Sequence, residues 1–468
     1  MRFLFLYPAA LVLLACSLNW AEGKPEERVQ RAFQEAVAQY ESGHFAEAGA
    51  KLEGLLPEVP ESFEVHELLG LVYSAESQDA KAGEHLAKAV RLKPDSVSAR
   101  TNLATNFVRR GKLPDAEIEF QKAVKLDPGN FDTNHNMGEF YIQAGKIAQA
   151  APFLEKAQQV NPSAYDNGYD LSLAYLDIGK FVEARQVAES LMKHRDAPEL
   201  HNLLGQIEEK AGNYVAAVNE FEAAAHAEPS ESNLFDWGSE LLLHRTLDPA
   251  IEVFQHASER YTDSSRLAIG LGMALYSRGN YDESVKALLR AADLSPQDAR
   301  CYFFLSKAYD SSPNQAEEVI QRFRRFSELQ PRNPRALYYY AMSLWKGRRV
   351  QDAALDMTHI ESLLKRAIEL DPGLAEAHLQ LGNLYSDRSQ YEAAIPEYQA
   401  ALTNNSDLAD AHYRLGQAYV HTGQKERAQE QLQVYQRLRS QHLAELDKQR
   451  SEIQQFVYSA KGTPGAKQ

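Results

Sequence analysis

A chain of 468 residues, with 44% hydrophobic and 25% charged residues, has the composition of an ordinary globular protein. Its formal net charge of −15 excludes a general nucleic-acid binder, which needs a basic footprint, and argues against attraction to anionic membrane surfaces. Its two cysteines, Cys16 and Cys301, cannot build a disulfide framework.

Residues 1–23 stand apart from the rest. Arg2 precedes an apolar run of 13 residues, Phe3 to Ala15, which is too short for a comfortable membrane span and fits a secretory signal. The run ends in Leu13-Leu14-Ala15-Cys16, which resembles the bacterial lipobox, although Leu14 replaces the smaller residue usual there. Lipid attachment at Cys16 is the expectation, and ordinary cleavage around Ala15-Cys16-Ser17 is the alternative. Either implies an exported protein, periplasmic or anchored to a membrane only through Cys16. Residues 24–28 then read as a polar linker.

From about residue 29 to 442 a single pattern recurs. The first copy, 29–62, is marked by Gly43, Phe45, Ala48 and Pro60, and further copies begin near 63, 97, 131, 165, 198, 231, 265, 299, 334, 375 and 409. The best-formed copy is Val97 to Asn130. Arg100, Leu103, Ala104 and Phe107 follow i, i+3, i+4, i+7 and share one helical face; Ala116, Phe120 and Ala123 do the same further on. Gly111 lies between the two runs, where a left-handed cap costs glycine little. Pro128 has no amide hydrogen and stops the second helix. Pro94, Pro128 and Pro162 are spaced by 34 residues, as are Gly111 and Gly145. A lone pair of such helices cannot bury its apolar face, so neighbouring copies must stack.

Two copies depart from the pattern. Ser311-Ser312-Pro313-Asn314 occupies a turn between helices, and about seven extra residues follow Trp345. The latter suggest a longer turn, a tolerated insertion or a local binding element. Beyond the last copy a helix is expected from Lys425 to Tyr458, capping the array with its first half and extending over 443–458; residues 459–468 read as a disordered tail.

Leu69-Gly70 with Tyr73, Met137-Gly138 with Tyr141, and Leu381-Gly382 with Tyr385, together with the small residues Ala82, Ala150, Ala184, Ala217, Ala394 and Ala428, resemble the tetratricopeptide repeat, whose period is 34. The Trp of that pattern is mostly replaced, by His66, Arg100, Asn134, His201, His378 and His412. The resemblance implies an all-α fold, a right-handed superhelical solenoid of about twelve antiparallel helix pairs with a C-terminal capping helix. It also implies a concave groove lined by positions 2, 5, 9 and 12 of each first helix. In the first half of the chain these positions are mixed and polar: Ser98, Thr101, Thr105, Arg109, Asp132, His135, Glu139, Asp166, Tyr169 and Asp177.

Between 266 and 346 the groove positions change character. Arg266, Ile269, Met273, Tyr276, Arg300, Phe303, Lys307, Arg335, Tyr338, Met342, Trp345 and Lys346 mix aromatic, thioether and cationic side chains, the composition of binding hot spots. The groove site expected from them is Arg266, Met273, Phe303, Lys307, Arg335, Tyr338, Met342 and Trp345. Mutual packing of these aromatics is the competing expectation. Some relatives in the family clamp a partner's terminal carboxylate with Lys, Asn and Arg; here Thr101, Thr105, Asn136, Asp166 and Asp170 occupy the corresponding places and do not match.

No metal-ligand, thiol or phosphate-loop motif is present, and no cofactor is implied. The expected trade is non-catalytic binding of proteins or extended peptides in a bacterial cell envelope. The alternative is an accessory role in envelope polysaccharide export or modification, with exposed Tyr and Trp stacking on sugar rings.

Overall fold

The computed structural model describes residues 24–312, 314–347, 357–440 and residue 451. Among them the chain is all-helical and forms twenty-four helices in sequence. It divides into two compact units, 1–217 and 218–468. The helices of the first unit are α1 (Lys24–Glu41), α2 (Phe45–Leu55), α3 (Phe63–Ala75), α4 (Asp79–Leu92), α5 (Val97–Arg109), α6 (Leu113–Leu126), α7 (Phe131–Gln143), α8 (Ile147–Val160), α9 (Tyr165–Asp177), α10 (Phe181–Met192) and α11 (Pro198–Ala211). Helix α12 (Tyr214–Ala227) spans the division. The second unit continues with α13 (Glu231–Leu243), α14 (Leu247–Arg260), α15 (Ser265–Arg278), α16 (Tyr281–Leu294), α17 (Ala299–Ser311), α18 (Ala316–Leu329), α19 (Pro334–Lys346), α20 (Met357–Leu370), α21 (Ala375–Asp387), α22 (Tyr391–Asn404), α23 (Ala409–His421) and α24 (Lys425–Ser440).

From α1 to α11 in the first unit and from α13 to α24 in the second, each odd-numbered helix packs on the even-numbered helix that follows it, and that helix packs on the next repeat's first helix, as in α3·α4·α5 and α15·α16·α17. Successive first helices also touch directly: α5 with α7 and α7 with α9 in the first unit, α13 with α15, α15 with α17 and α17 with α19 in the second. Helix α1 begins at Lys24, so residues 24–28 belong to a helix rather than the expected linker.

In ten of the twelve repeats the turn between the two helices holds one residue at positive φ. Gly43, Gly111, Gly145, Gly179, Gly212, Gly279 and Gly423 supply it at φ 69 to 95°. In three repeats a residue with a side chain stands there instead: Ser77, Arg245 and Ser389, at φ about 60°. These three carry the steric cost of the left-handed region.

Packing within a repeat joins a small residue to a large one 16 positions later. A Cβ on Gly138 would lie 2.4 Å from Leu154, and one on Gly272 would lie 2.5 Å from Leu288. Where alanine takes that place, as at Ala104, the facing residue is the fully buried Phe120.

The fourth position of the first helix is equally regular. His66, His378 and His412 place Nε2 3.0 to 3.2 Å from the carbonyl oxygen six residues back, at Pro60, Pro372 and Ser406. Arg100 Nε donates to Pro94 O, Asn134 Nδ2 to Pro128 O, and Tyr302 OH to Pro296 O, at 2.8 to 3.1 Å. Four different side chains therefore satisfy one recurring carbonyl in the connection between repeats.

Side-chain N-caps open seven of the first helices, from Ser62, Ser96, Asn130, Ser230, Ser264, Asp298 and Asn333. Cys301 is fully buried, and desolvation pushes its thiol well above the ordinary range. At the far end, Tyr435 of α24 lies 5.2 Å from Tyr413 of α23, and Leu432 sits over Gly416, so α24 covers the last first helix as expected of a cap. The expected lipidation site Cys16, the insertion after Trp345, the extension over 443–458 and the tail 459–468 fall outside the described residues, apart from residue 451.

Candidate binding faces of the first helices

Positions 2, 5 and 9 of a first helix lie on one side, beside the same positions of its neighbours. Direct contact between successive first helices closes part of that side. In the second unit Ile269 is fully buried and Met273 is 1% exposed. Met273 was expected in the groove; the structure places it in the core, because α13 and α17 flank α15 and cover positions 5 and 9. Arg266 stays half-exposed but is engaged within the chain. Its Nε donates to Glu231 Oε1 at 2.9 Å and its Nη2 to Oε2 at 3.2 Å, while the guanidinium lies 4.7 Å from the Phe235 ring centre.

The remaining six expected residues stand on two successive helices. On α17, Phe303 is half-buried against the core and Lys307 Nζ lies 5.7 Å from its ring centre. On α19, Tyr338 and Trp345 pack at the margin of an apolar cluster containing Ile360 and Leu364. Met342 is half-buried and Arg335 is exposed. Burial pushes the Tyr338 phenol well above its ordinary range, so it is a neutral hydrogen-bonding group at any physiological pH. An ion pair from Lys346 to Asp310 ties α19 to α17 beside them. These side chains offer apolar and cationic surface together.

The first unit's corresponding face is polar and stitched by side-chain hydrogen bonds. Ser98 donates to Glu67 Oε1 at 2.7 Å, Thr101 and Thr133 hydroxyls meet at 3.0 Å, and Tyr165 OH donates to Glu199 Oε1 at 2.8 Å. His135 Nδ1 lies 3.0 Å from Asn167 Oδ1. The two α7 residues at positions 5 and 9, His135 and Glu139, are each only 3% exposed. His135 Nε2 is 3.6 Å from Glu139 Oε1, while Glu139 Oε2 is buried with no hydrogen-bond partner. Desolvation, with Asp170 and Asp166 adding like charge, pushes the Glu139 carboxyl up to about 8. Desolvation lowers His135 and keeps it neutral at pH 7. A second buried carboxylate, Glu240 in the other unit, likewise has a histidine nearby, with His244 Nε2 at 3.2 Å, and neither of its oxygens makes a hydrogen bond.

The sequence displayed these acids without their burial. Asp132, Glu139 and Asp166 were visible at groove positions; nothing in the local pattern marked Glu139 as enclosed, since its neighbours on α5 and α9 close it off.

Among the described residues no group of three or more His, Cys, Asp and Glu is placed to hold a metal ion, and no helix is long and apolar enough to cross a membrane.

Such helix pairs, with a small residue packed against a large one and a left-handed turn in ten of them, define a repeat protein. Tetratricopeptide-repeat models match residues 33–97, 77–131, 119–151, 141–207, 235–299, 306–357, 363–395 and 409–442, and a model described as TPR repeat matches 382–423. Tetratricopeptide repeats are thus present across the chain. A 155-residue stretch, 33% of the chain, is 22% identical to human protein O-mannosyl-transferase TMTC1 and spans 17% of that protein. Among solved structures, Pseudomonas aeruginosa pilF is similar at 18% identity, covering 44% of this chain and 94% of that one, with a TM-score of 0.39. The chain in the APC/C hetero-tetramer Cut9-Hcn1 is similar at 14% identity over 93% and 97%, TM-score 0.38. YrrB, described as a TPR protein with an unusual peptide-binding site, is similar at 16% over 38% and 93%, TM-score 0.36.

Proposed function

We propose that this protein is a non-catalytic scaffold that holds a partner protein, or an extended peptide of one, against α17 and α19. The observation that carries this reading is the cluster of Phe303, Lys307, Arg335, Tyr338, Met342 and Trp345, partly or fully exposed on two adjoining first helices. Aromatic and thioether surface supplies contact area at low entropic cost, and Lys and Arg orient a carboxylate-bearing ligand. Truncating a hot-spot aromatic typically costs about 2 kcal/mol or more of binding energy. Selection of a displayed peptide library on the immobilised full chain tests the proposal. Enriched peptides carry apolar anchors beside acidic residues and lose binding at least tenfold to the Tyr338→Ala and Trp345→Ala variants. Enriched peptides indifferent to both substitutions and to Arg335→Ala would place binding elsewhere.

Export belongs to the same proposal, supported by the apolar segment before Cys16. The mass of the mature protein's N-terminus tests it: a lipid-modified Cys16 supports anchoring, a free residue beyond it supports simple secretion, and an intact Met1 overturns cleavage and leaves an uncleaved anchor.

A further inference from the structure

We infer that the first unit carries a second, separate recognition site, formed by Glu139 with Asp132, Asp166 and Asp170, that takes a lysine or arginine side chain of a partner polypeptide. It goes beyond the reading above, since it lies on other helices and takes the opposite ligand charge.

Two independent observations support it. The first is the set of charges. Asp132 stands on α7 with Glu139, and Asp166 and Asp170 stand on the adjoining α9. Asp166 is exposed, whereas Asp132 and Asp170 are half-buried. The second is the state of Glu139. Its side chain is 4% exposed and its Oε2 has no hydrogen-bond partner, a costly arrangement for a carboxyl group. The neighbouring groups do not relieve it. Asp166 and Asp170 from α9 add repulsion, and the α5 residues beside it at positions 5 and 9 are Thr101 and Thr105, both uncharged. His135 on its own helix is neutral and 3.6 Å away.

A single cationic group entering past the three aspartates would relieve both conditions. It would neutralise the repulsion and donate to Oε2. Lysine and arginine fit because each delivers a charge and several donors at the end of a slender apolar stem. Binding would draw the Glu139 proton off, so uptake near pH 7 is accompanied by proton release. The groups that set this dependence are Glu139 and His135 on α7, Asp132 at its start, and Asp166 and Asp170 on α9.

The test uses the full chain and a fluorescein-labelled hexalysine peptide, with hexaglutamate as the opposite-charge probe. Two triple variants are compared; the control loses the larger charge near pH 7, where Glu139 holds its proton, so a greater effect of the first cannot come from overall charge. One is Glu139→Gln, Asp166→Asn, Asp170→Asn; the other is Asp115→Asn, Glu183→Gln, Glu189→Gln, on the exposed surfaces of second helices. Hexalysine affinity should fall at least tenfold in the first variant and less than twofold in the second, with circular dichroism confirming that both remain helical. Calorimetry in buffers of different ionisation enthalpy should show proton release in the parent protein and none in Glu139→Gln alone. Equal losses in the two triples would mean that the overall charge of −15 attracts the probe, and would overturn the site. So would binding of hexalysine without proton release. Neither result bears on α17 and α19, so failure here is distinguishable from failure of the first proposal.

Discussion

The first helices of the two units occupy the same places in the same repeat, yet their shared faces are built from opposite materials. In the first unit positions 2, 5 and 9 are joined by hydroxyls, amides and carboxylates, with Glu67, Thr101, Thr133, His135 and Glu139 all buried. In the second unit the equivalent places hold Phe235, Ile269 and Met273 in the core and Phe303, Tyr338 and Met342 at its margin. One backbone geometry thus accepts either chemistry. The polar version depends on each group finding a partner, and at Glu139 Oε2 it fails to do so. The apolar version is subject to that condition only where a polar group remains, as at Ser239, whose buried Oγ has no hydrogen-bond partner. A repeat fold therefore leaves this face free to vary while the faces between its own two helices stay constant.

That contrast can be broken most severely at Met273. Met273→Ala should destabilise the second unit by about 2–5 kcal/mol, the usual cost of emptying a well-packed core position, measured by denaturant unfolding. A loss below about 1 kcal/mol would show that this face is an open groove after all. Glu139→Gln probes the polar counterpart with a pH signature. The Glu139 carboxyl is raised in the folded chain from an ordinary 4.5 to about 8, so between these values the folded state holds a proton that the unfolded state has released. Stability then falls as pH rises from about 5 to about 8 and levels off above. Glu139→Gln should flatten that slope and stabilise the protein on the order of a few kcal/mol at pH 8.5. An unchanged slope would mean that Glu139 is solvated.

Smaller effects separate what the repeats share from what they do not. Asn134→Ala leaves the Pro128 carbonyl without its donor and should cost about 1–2 kcal/mol, read by denaturant unfolding or by faster amide exchange at the start of α7. Gln159→Ala, at an exposed position of the partner helix α8, should cost far less. Ser77→Gly and Ser389→Gly relieve the left-handed strain and should each raise stability by about 0.5–1 kcal/mol, visible as a higher Tm. If either lowers it, the positive φ there is sustained by contacts of the serine side chain.

The helix pairs were legible in the residues because their determinants are local. Gly111 ends one helix, Pro128 follows the other, and Ala104 and Phe120 face each other; α5 and α6 form within Val97–Asn130 as the spacing requires. The histidines at position 4 were also recognisable as structural, although their shared carbonyl partner was not, because a bond to the connecting segment leaves no periodicity. The candidate sites were only half legible. Which helix position belongs to the face follows from 3.6-residue periodicity, so Phe303, Tyr338 and Glu139 could be named. Whether a named residue reaches solvent depends on how closely the next first helix approaches, a distance decided by residues 34 positions away. Met273 and Phe303 look equivalent in sequence for that reason, and only one of them is exposed.

The recurring bond from position 4 to the carbonyl six residues earlier carries a wider implication. Histidine, arginine, asparagine and tyrosine all make it, so the joint between repeats is specified by reach and donor capacity rather than by residue identity. Six repeats carry such a donor, whereas Gly168, Leu234, Ala268 and Leu337 hold the same position in others; a repeat lifted from one of the six brings its own donor with it. Such modules are interchangeable by construction, which makes duplication, deletion and shuffling of copies a low-cost route to lengthening the protein and to moving a polar face next to an apolar one.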